Sequence, residues 1–190
     1  ISSFECCSGR IPIVPTTNKP GRALRWRGIE SEASRKGPAT RERRSSLGHA
    51  CALQQAGYFP EAVKSYRLGL SFQPDSPEVL SNLGCLLDDL GSRDEAESVH
   101  RKAVALAPNV AVMHNNLGLT LQSLGKTEDA EACFRKAIEL RADWTVARLN
   151  LGRLLQMNER HADSIEHYER VLEIDPSNAR AKNNLGIARE

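Results

Sequence analysis

The stretch from Ser81 to Leu90, SNLGCLLDDL, decides the fold because part of it keeps returning. Its triplet Asn82-Leu83-Gly84 reappears as Asn116-Leu117-Gly118, Asn150-Leu151-Gly152 and Asn184-Leu185-Gly186, each copy 34 residues after the last. A second signature holds the same interval: Glu61-Ala62, Glu95-Ala96 and Asp129-Ala130, weakening to Asp163-Ser164. Proline follows it at Pro74, Pro108 and Pro176, with Ala142 where another would fall. A period this strict over more than half the chain marks a repeat array.

Each period holds two amphipathic runs of about 14 residues with apolar positions three and four apart. Around the opening stretch these are Leu80, Leu83, Leu86, Leu87 and Leu90, then Ala96, Val99, Ala103, Val104 and Leu106. Gly91 sits between the runs and a proline stops the second, which predicts helix, turn, helix. Small residues such as Gly84 and Ala96 let the two helices approach closely. One hairpin cannot bury both its faces, so neighbours must stack into an extended solenoid with a concave side. Nothing alternates like a strand, and the expected fold is all-α.

Period and residues together resemble the tetratricopeptide repeat (TPR) family. With repeats at 43–76, 77–110, 111–144 and 145–178 and a partial one at 179–190, the family's small eighth residue is Ala50, Gly84, Gly118, Gly152 and Gly186. Its twentieth residue is Ala62, Ala96, Ala130 and Ser164, and its aromatic twenty-fourth is Tyr66, Phe134 and Tyr168, with His100 departing. Other departures are His49 for a large apolar residue and Asn158-Glu159 for Leu-Gly. The resemblance implies a right-handed TPR superhelix over 43–190.

Residues 1–42 read differently. They are rich in Gly, Pro, Ser, Thr and Arg and show no helical period. Ile1 to Arg44 carry 10 basic against 4 acidic residues, a net of +6, whereas Ser45 to Glu190 carry 16 against 20, a net of −4. The chain's +2 thus joins a basic segment to a mildly acidic array. Such a segment buries too little apolar surface to offset its ordering entropy, and disorder is expected there. Its arginines, with Trp26 among them, are the one feature pointing to nucleic acid, and no nucleic-acid partner is expected from the array itself. No apolar run is long enough to span a membrane.

Catalytic chemistry finds no footing. The sequence shows no nucleophile beside a base, no paired catalytic carboxylates and no phosphate-cradling glycine loop, and Gly125-Lys126 reads as a turn. The five cysteines, an odd number without regular spacing, argue for free thiols in a reducing, intracellular compartment, cytoplasmic or nuclear. The five histidines offer no ligand pair at metal spacing, so neither metal nor cofactor is expected. His100 reads as a packing residue.

In this family the first helix of each repeat lines the inner groove, which implies a protein or peptide partner there. The sixth position is Asn82, Asn116, Asn150 and Asn184, with Asn115, Asn183 and Arg153 beside them. An asparagine amide offers a donor and an acceptor and could pair with the backbone of an extended peptide at one contact per repeat. On that reading, replacing Asn116 and Asn150 by alanine weakens capture and leaves melting nearly unchanged. The other reading has each asparagine bracing its own solenoid. The ladder and the surrounding wording resemble the TPR superhelix of the O-linked N-acetylglucosamine transferases, so a substrate-recruiting arm of such an enzyme stands as the alternative to a free scaffold. The carboxylate clamp of chaperone-binding TPR proteins is not matched: fifth positions are Leu47, Ser81, Asn115, Leu149 and Asn183, ninth positions Cys51, Cys85, Leu119, Arg153 and Ile187. The array is expected to continue beyond Glu190, since Leu185 and Ile187 would otherwise lack a covering helix.

Overall fold

A computed structural model describes residues 48–189; the basic segment 1–42 lies outside the described residues. Among these, nine helices and no strand are found: α1 (48–55), α2 (Phe59–Phe72), α3 (Pro77–Asp89), α4 (Arg93–Leu106), α5 (Ala111–Ser123), α6 (Thr127–Leu140), α7 (Thr145–Met157), α8 (His161–Ile174) and α9 (Ala179–Ala188). They alternate as first and second helices of successive hairpins, a TPR solenoid. None is long and apolar enough to cross a membrane.

The turn inside each hairpin is the same device four times. Gly57, Gly91 and Gly125 adopt φ of 83°, 82° and 74°. Behind the second of them, Ser92 N–H reaches the Leu87 carbonyl at 2.8 Å and Gly91 N–H the Asp88 carbonyl at 3.0 Å. That pairing closes a helix through a left-handed residue, which glycine enters without steric cost. In the fourth repeat Glu159 occupies this place at φ 61° and keeps both bonds, 3.0 Å from Arg160 N–H to Leu155 and 3.1 Å from Glu159 N–H to Gln156. Loss of the Leu-Gly pair therefore alters the strain of the turn and leaves its geometry intact.

Small eighth residues do what their periodicity predicts. A methyl group on Gly118 would meet the Phe134 ring at 2.7 Å, and one on Gly152 would meet Tyr168 at 2.6 Å. Both rings are fully buried, each contributing roughly 1.5–3 kcal/mol of apolar burial. His100, in the aromatic position of the second repeat, packs on Gly84 in the same way and is fully buried.

Hairpins stack so that each second helix packs on the first helix of the next repeat, and consecutive first helices (α3 and α5, α5 and α7, α7 and α9) also approach each other. Closer spacing along the first helices puts them on the inner side of the curve. Successive apolar clusters lie beneath them: Tyr66, Leu83 and Leu86, then Leu117, Phe134 and Leu151, then Tyr168, Val171 and Leu185. Ion pairs tie the second helices together outside: Arg67 to Glu95 at 2.5 Å and Arg101 to Asp129 at 3.4 Å. Exposed pairs of this kind add little individually. Glu97 differs, being buried and held by Lys126 at 2.7 Å and Arg101 at 2.9 Å.

Candidate functional site

The inner face starts from the first helices, and its character changes along the array. In α3 every residue from Val79 to Asp88 is buried, so the polar groups there are internal. In α5 Asn115, Asn116 and Thr120 are all 0% exposed. Toward α7 and α9 the face opens: Arg153, Met157, Asn183 and Ile187 are exposed, while Gln122, Gln156 and Asn184 are half-buried.

The asparagines form a chain that crosses the repeats. Asn150 Nδ2 donates to Asn115 Oδ1 at 2.8 Å. Asn115 Nδ2 lies 3.4 Å from Asn116 Oδ1. Asn116 Nδ2 in turn donates to Ser81 Oγ at 3.2 Å and Cys85 Sγ at 3.4 Å. Side chains of three consecutive first helices are thus joined end to end in a buried seam, in which each polar group needs its partner. The ladder reads from the sequence as four equivalent opportunities for a peptide, one per repeat; the amides of Asn115, Asn116 and Asn150 reach the neighbouring residues of the seam. Asn82 is buried beside them. Asn184 differs: it is half-buried, and its amide acts on the Tyr168 hydroxyl to offset part of the rise in the phenol's pKa that burial causes. Asn183 faces solvent.

A second set of contacts links the twelfth and twenty-fourth positions within each repeat. Tyr66 donates to Gln54 Oε1 at 2.8 Å and Tyr168 to Gln156 Oε1 at 2.9 Å. Where the ring is His100 the partner is Asp88, 3.8 Å from Nε2, and Asp88 also accepts a short hydrogen bond from Thr120. Phe134 has no hydroxyl, and Gln122 instead accepts from Arg153 Nη2 at 3.3 Å and lies 3.5 Å from Met157 Sδ. These partners escaped the reading of the ladder, although a glutamine 12 residues before each tyrosine was there to see.

Arg153 is the charged member of the open part. Although the residue is exposed, crowding by the neighbouring helices partly desolvates its guanidinium, and this, and after it the charge of Arg180, lowers its pKa below the usual range. Cys51, Cys85 and Cys133 are free thiols, and burial pushes Cys133 up to about 11. Among the described residues no cluster of histidine, cysteine and carboxylate groups could hold a metal ion.

Two sequence profiles described as tetratricopeptide repeat match residues 78–107 and 109–177, together just over half of the chain. The chain belongs to the TPR family. Solved structures agree. MamA is 27% identical with a TM-score of 0.68, the match covering 73% of this chain and 81% of that one. The TPR region of a Thermobaculum terrenum O-GlcNAc transferase mutant is 28% identical with a TM-score of 0.64, over 71% of this chain and 27% of the transferase. YrrB, described as a TPR protein with an unusual peptide-binding site, shares the fold at 20% identity and a TM-score of 0.65, over 80% of this chain and 82% of its own. No curated protein matches the chain. As a TPR solenoid, the array presents its first helices as a continuous inner surface whose open half runs from Gln122 to Ile187.

Proposed function

We propose that this TPR array binds extended polypeptide along its concave face, acting as a scaffold or recruiting module inside the cell. The observation that carries the reading is the accessible run on successive first helices: Gln122, Arg153, Gln156, Met157, Asn183 and Ile187. It combines hydrogen-bonding and apolar groups, the mixture an unfolded segment offers in return. Packed helices lie about 8–10 Å apart and an extended chain advances at most roughly 3.3–3.6 Å per residue. A bound segment therefore meets a new repeat about every third residue. Asn183 and Asn184 are reached directly. Asn82, Asn115, Asn116 and Asn150 take part only if a partner's backbone replaces a bond within the seam. The free thiols fit the reducing compartment that such a scaffold would occupy.

The test is an immobilised array of 12-residue peptides probed with the 190-residue chain and with the Met157→Arg/Ile187→Arg variant. Both positions are exposed, so circular dichroism of the variant should match the parent. Captured peptides should lose at least about tenfold in affinity, as expected when apolar contacts are replaced by charge. Equal capture by both chains would move the partner to another face.

A second reading is favoured by the similarity to the O-GlcNAc transferase TPR region: the array recruits substrate for an O-linked glycosyltransferase. Sequencing the transcript past Glu190 separates the two. A nucleotide-sugar transferase domain in the same frame would make this chain a recruiting arm, and an early stop codon would make it a free-standing adaptor.

A further inference from the structure

We propose that Arg153 and Arg180 form a subsite for the side-chain carboxylate of an acidic residue in the bound segment. The inference rests on the groove reading above and narrows the partner to acidic, extended polypeptide.

Cations on the outer helices mostly have a carboxylate: Arg67 has Glu95, Arg135 has Glu131, Arg170 has Glu173. The inner pair has none. Among the described residues neither Arg153 nor Arg180 makes an ion pair, and the one hydrogen bond of Arg153 goes to the neutral Gln122 at 3.3 Å. Register brings the two arginines together across the α7–α9 step. Residues 31 apart on consecutive first helices touch here, as Cys85 does Asn116 at 3.4 Å and Gln122 does Arg153. The same offset sets Arg153 against Asn184, and Arg180 lies one helical turn before Asn184 on α9. Their charges interact, since the charge of Arg180 is among the causes lowering the pKa of Arg153.

Two guanidinium groups without an anion, that of Arg153 partly desolvated, repel each other, and a carboxylate between them removes that repulsion. A guanidinium presents a planar fork that matches a carboxylate in a two-point, charge-assisted bond. Asn184 adds an amide donor at the same step. The subsite differs from a clamp built on fifth-position lysine and ninth-position asparagine, because its cations stand at the ninth position of the fourth repeat and the second of the fifth.

The experiment uses fluorescein-labelled 12-residue peptides of Ala, Ser and Thr with acetylated and amidated ends, carrying either one central Glu or one central Gln. Anisotropy is read with the 190-residue chain, with Arg153→Gln/Arg180→Gln, and with Lys64→Gln/Arg93→Gln, which removes two charges from the second helices. The Glu peptide should bind the parent at least about tenfold more tightly than the Gln peptide, the scale of a charge-assisted over a neutral bond. That ratio should fall to near one in the Arg153→Gln/Arg180→Gln chain, persist in the outer-face control, and shrink with salt as partly exposed charges are screened. Equal binding of both peptides to the parent overturns the carboxylate subsite and leaves the groove reading standing. An equal loss in the control also overturns it, because net charge would then explain the preference. If neither peptide binds while the peptide array captures none, the groove reading falls and takes the subsite with it.

Discussion

Replacing Asn150 by alanine tests the buried seam at its shortest bond. Asn150 is 2% exposed and Asn115 fully buried, with 2.8 Å between Nδ2 and Oδ1. Alanine removes the donor and leaves the Asn115 carbonyl inside the array without this partner, which costs about 1–3 kcal/mol. Better helix propensity returns roughly 0.5–0.7 kcal/mol. The net expectation is a loss of about 0.3–2.5 kcal/mol. Asn116→Ala should fall in the same range, since it strips partners from Ser81, Cys85 and Asn115 at longer distances. Asn183→Ala is the internal control: exposed, helical and outside the seam, it should keep only the helix-propensity gain of roughly 0.5–0.7 kcal/mol. Urea unfolding followed at 222 nm, fitted with nearest-neighbour coupling between repeats, supplies all three values. A cycle with Asn115→Ala should give a coupling of at least about 0.5 kcal/mol, as touching residues do. If Asn150→Ala unfolds at the same urea concentration as Asn183→Ala, the seam contributes nothing and the sequence expectation of unchanged melting is restored.

Three further outcomes follow from named contacts. Glu159→Gly relieves a left-handed residue other than glycine and should gain about 1 kcal/mol in the same urea assay. Gly118→Ala forces a methyl to 2.7 Å from the Phe134 ring and should cost about 1–3 kcal/mol, whereas Gly186→Ala, with nothing within 4 Å, should gain about 0.5–1 kcal/mol; thermal melts of both variants check the opposite signs. Lys126 first, then Arg101, holds the Glu97 carboxyl below its ordinary 4.5. The stabilisation from Glu97 is therefore complete above about pH 4.5 and lost as pH falls through the lower folded value, so parent and Glu97→Gln chains should differ at pH 7 and converge in acid titrations of stability.

What the sequence discloses and what it withholds separate along one physical line. Contacts inside a repeat are set by residues at fixed offsets, so Gly118 against Phe134 and Gly152 against Tyr168 are legible from the period alone. Even the substitution at Glu159 leaves the turn in place, because the bonds of its backbone do not depend on the side chain. Contacts between repeats depend on which residues happen to meet. Asn116 meets Ser81 and Cys85, and Asn150 meets Asn115, although Asn116 and Asn150 hold the same position in successive repeats. Asn184 escapes that fate because its predecessors by 35 and 31 residues are Leu149 and Arg153, neither of which accepts a hydrogen bond through its side chain. A periodic reading assigns four asparagines one role, whereas their neighbours assign them at least two. The open end of the groove lies where the seam runs out of hydrogen-bonding partners, and the same departure from the repeat, an arginine at the ninth position, supplies the charge found there.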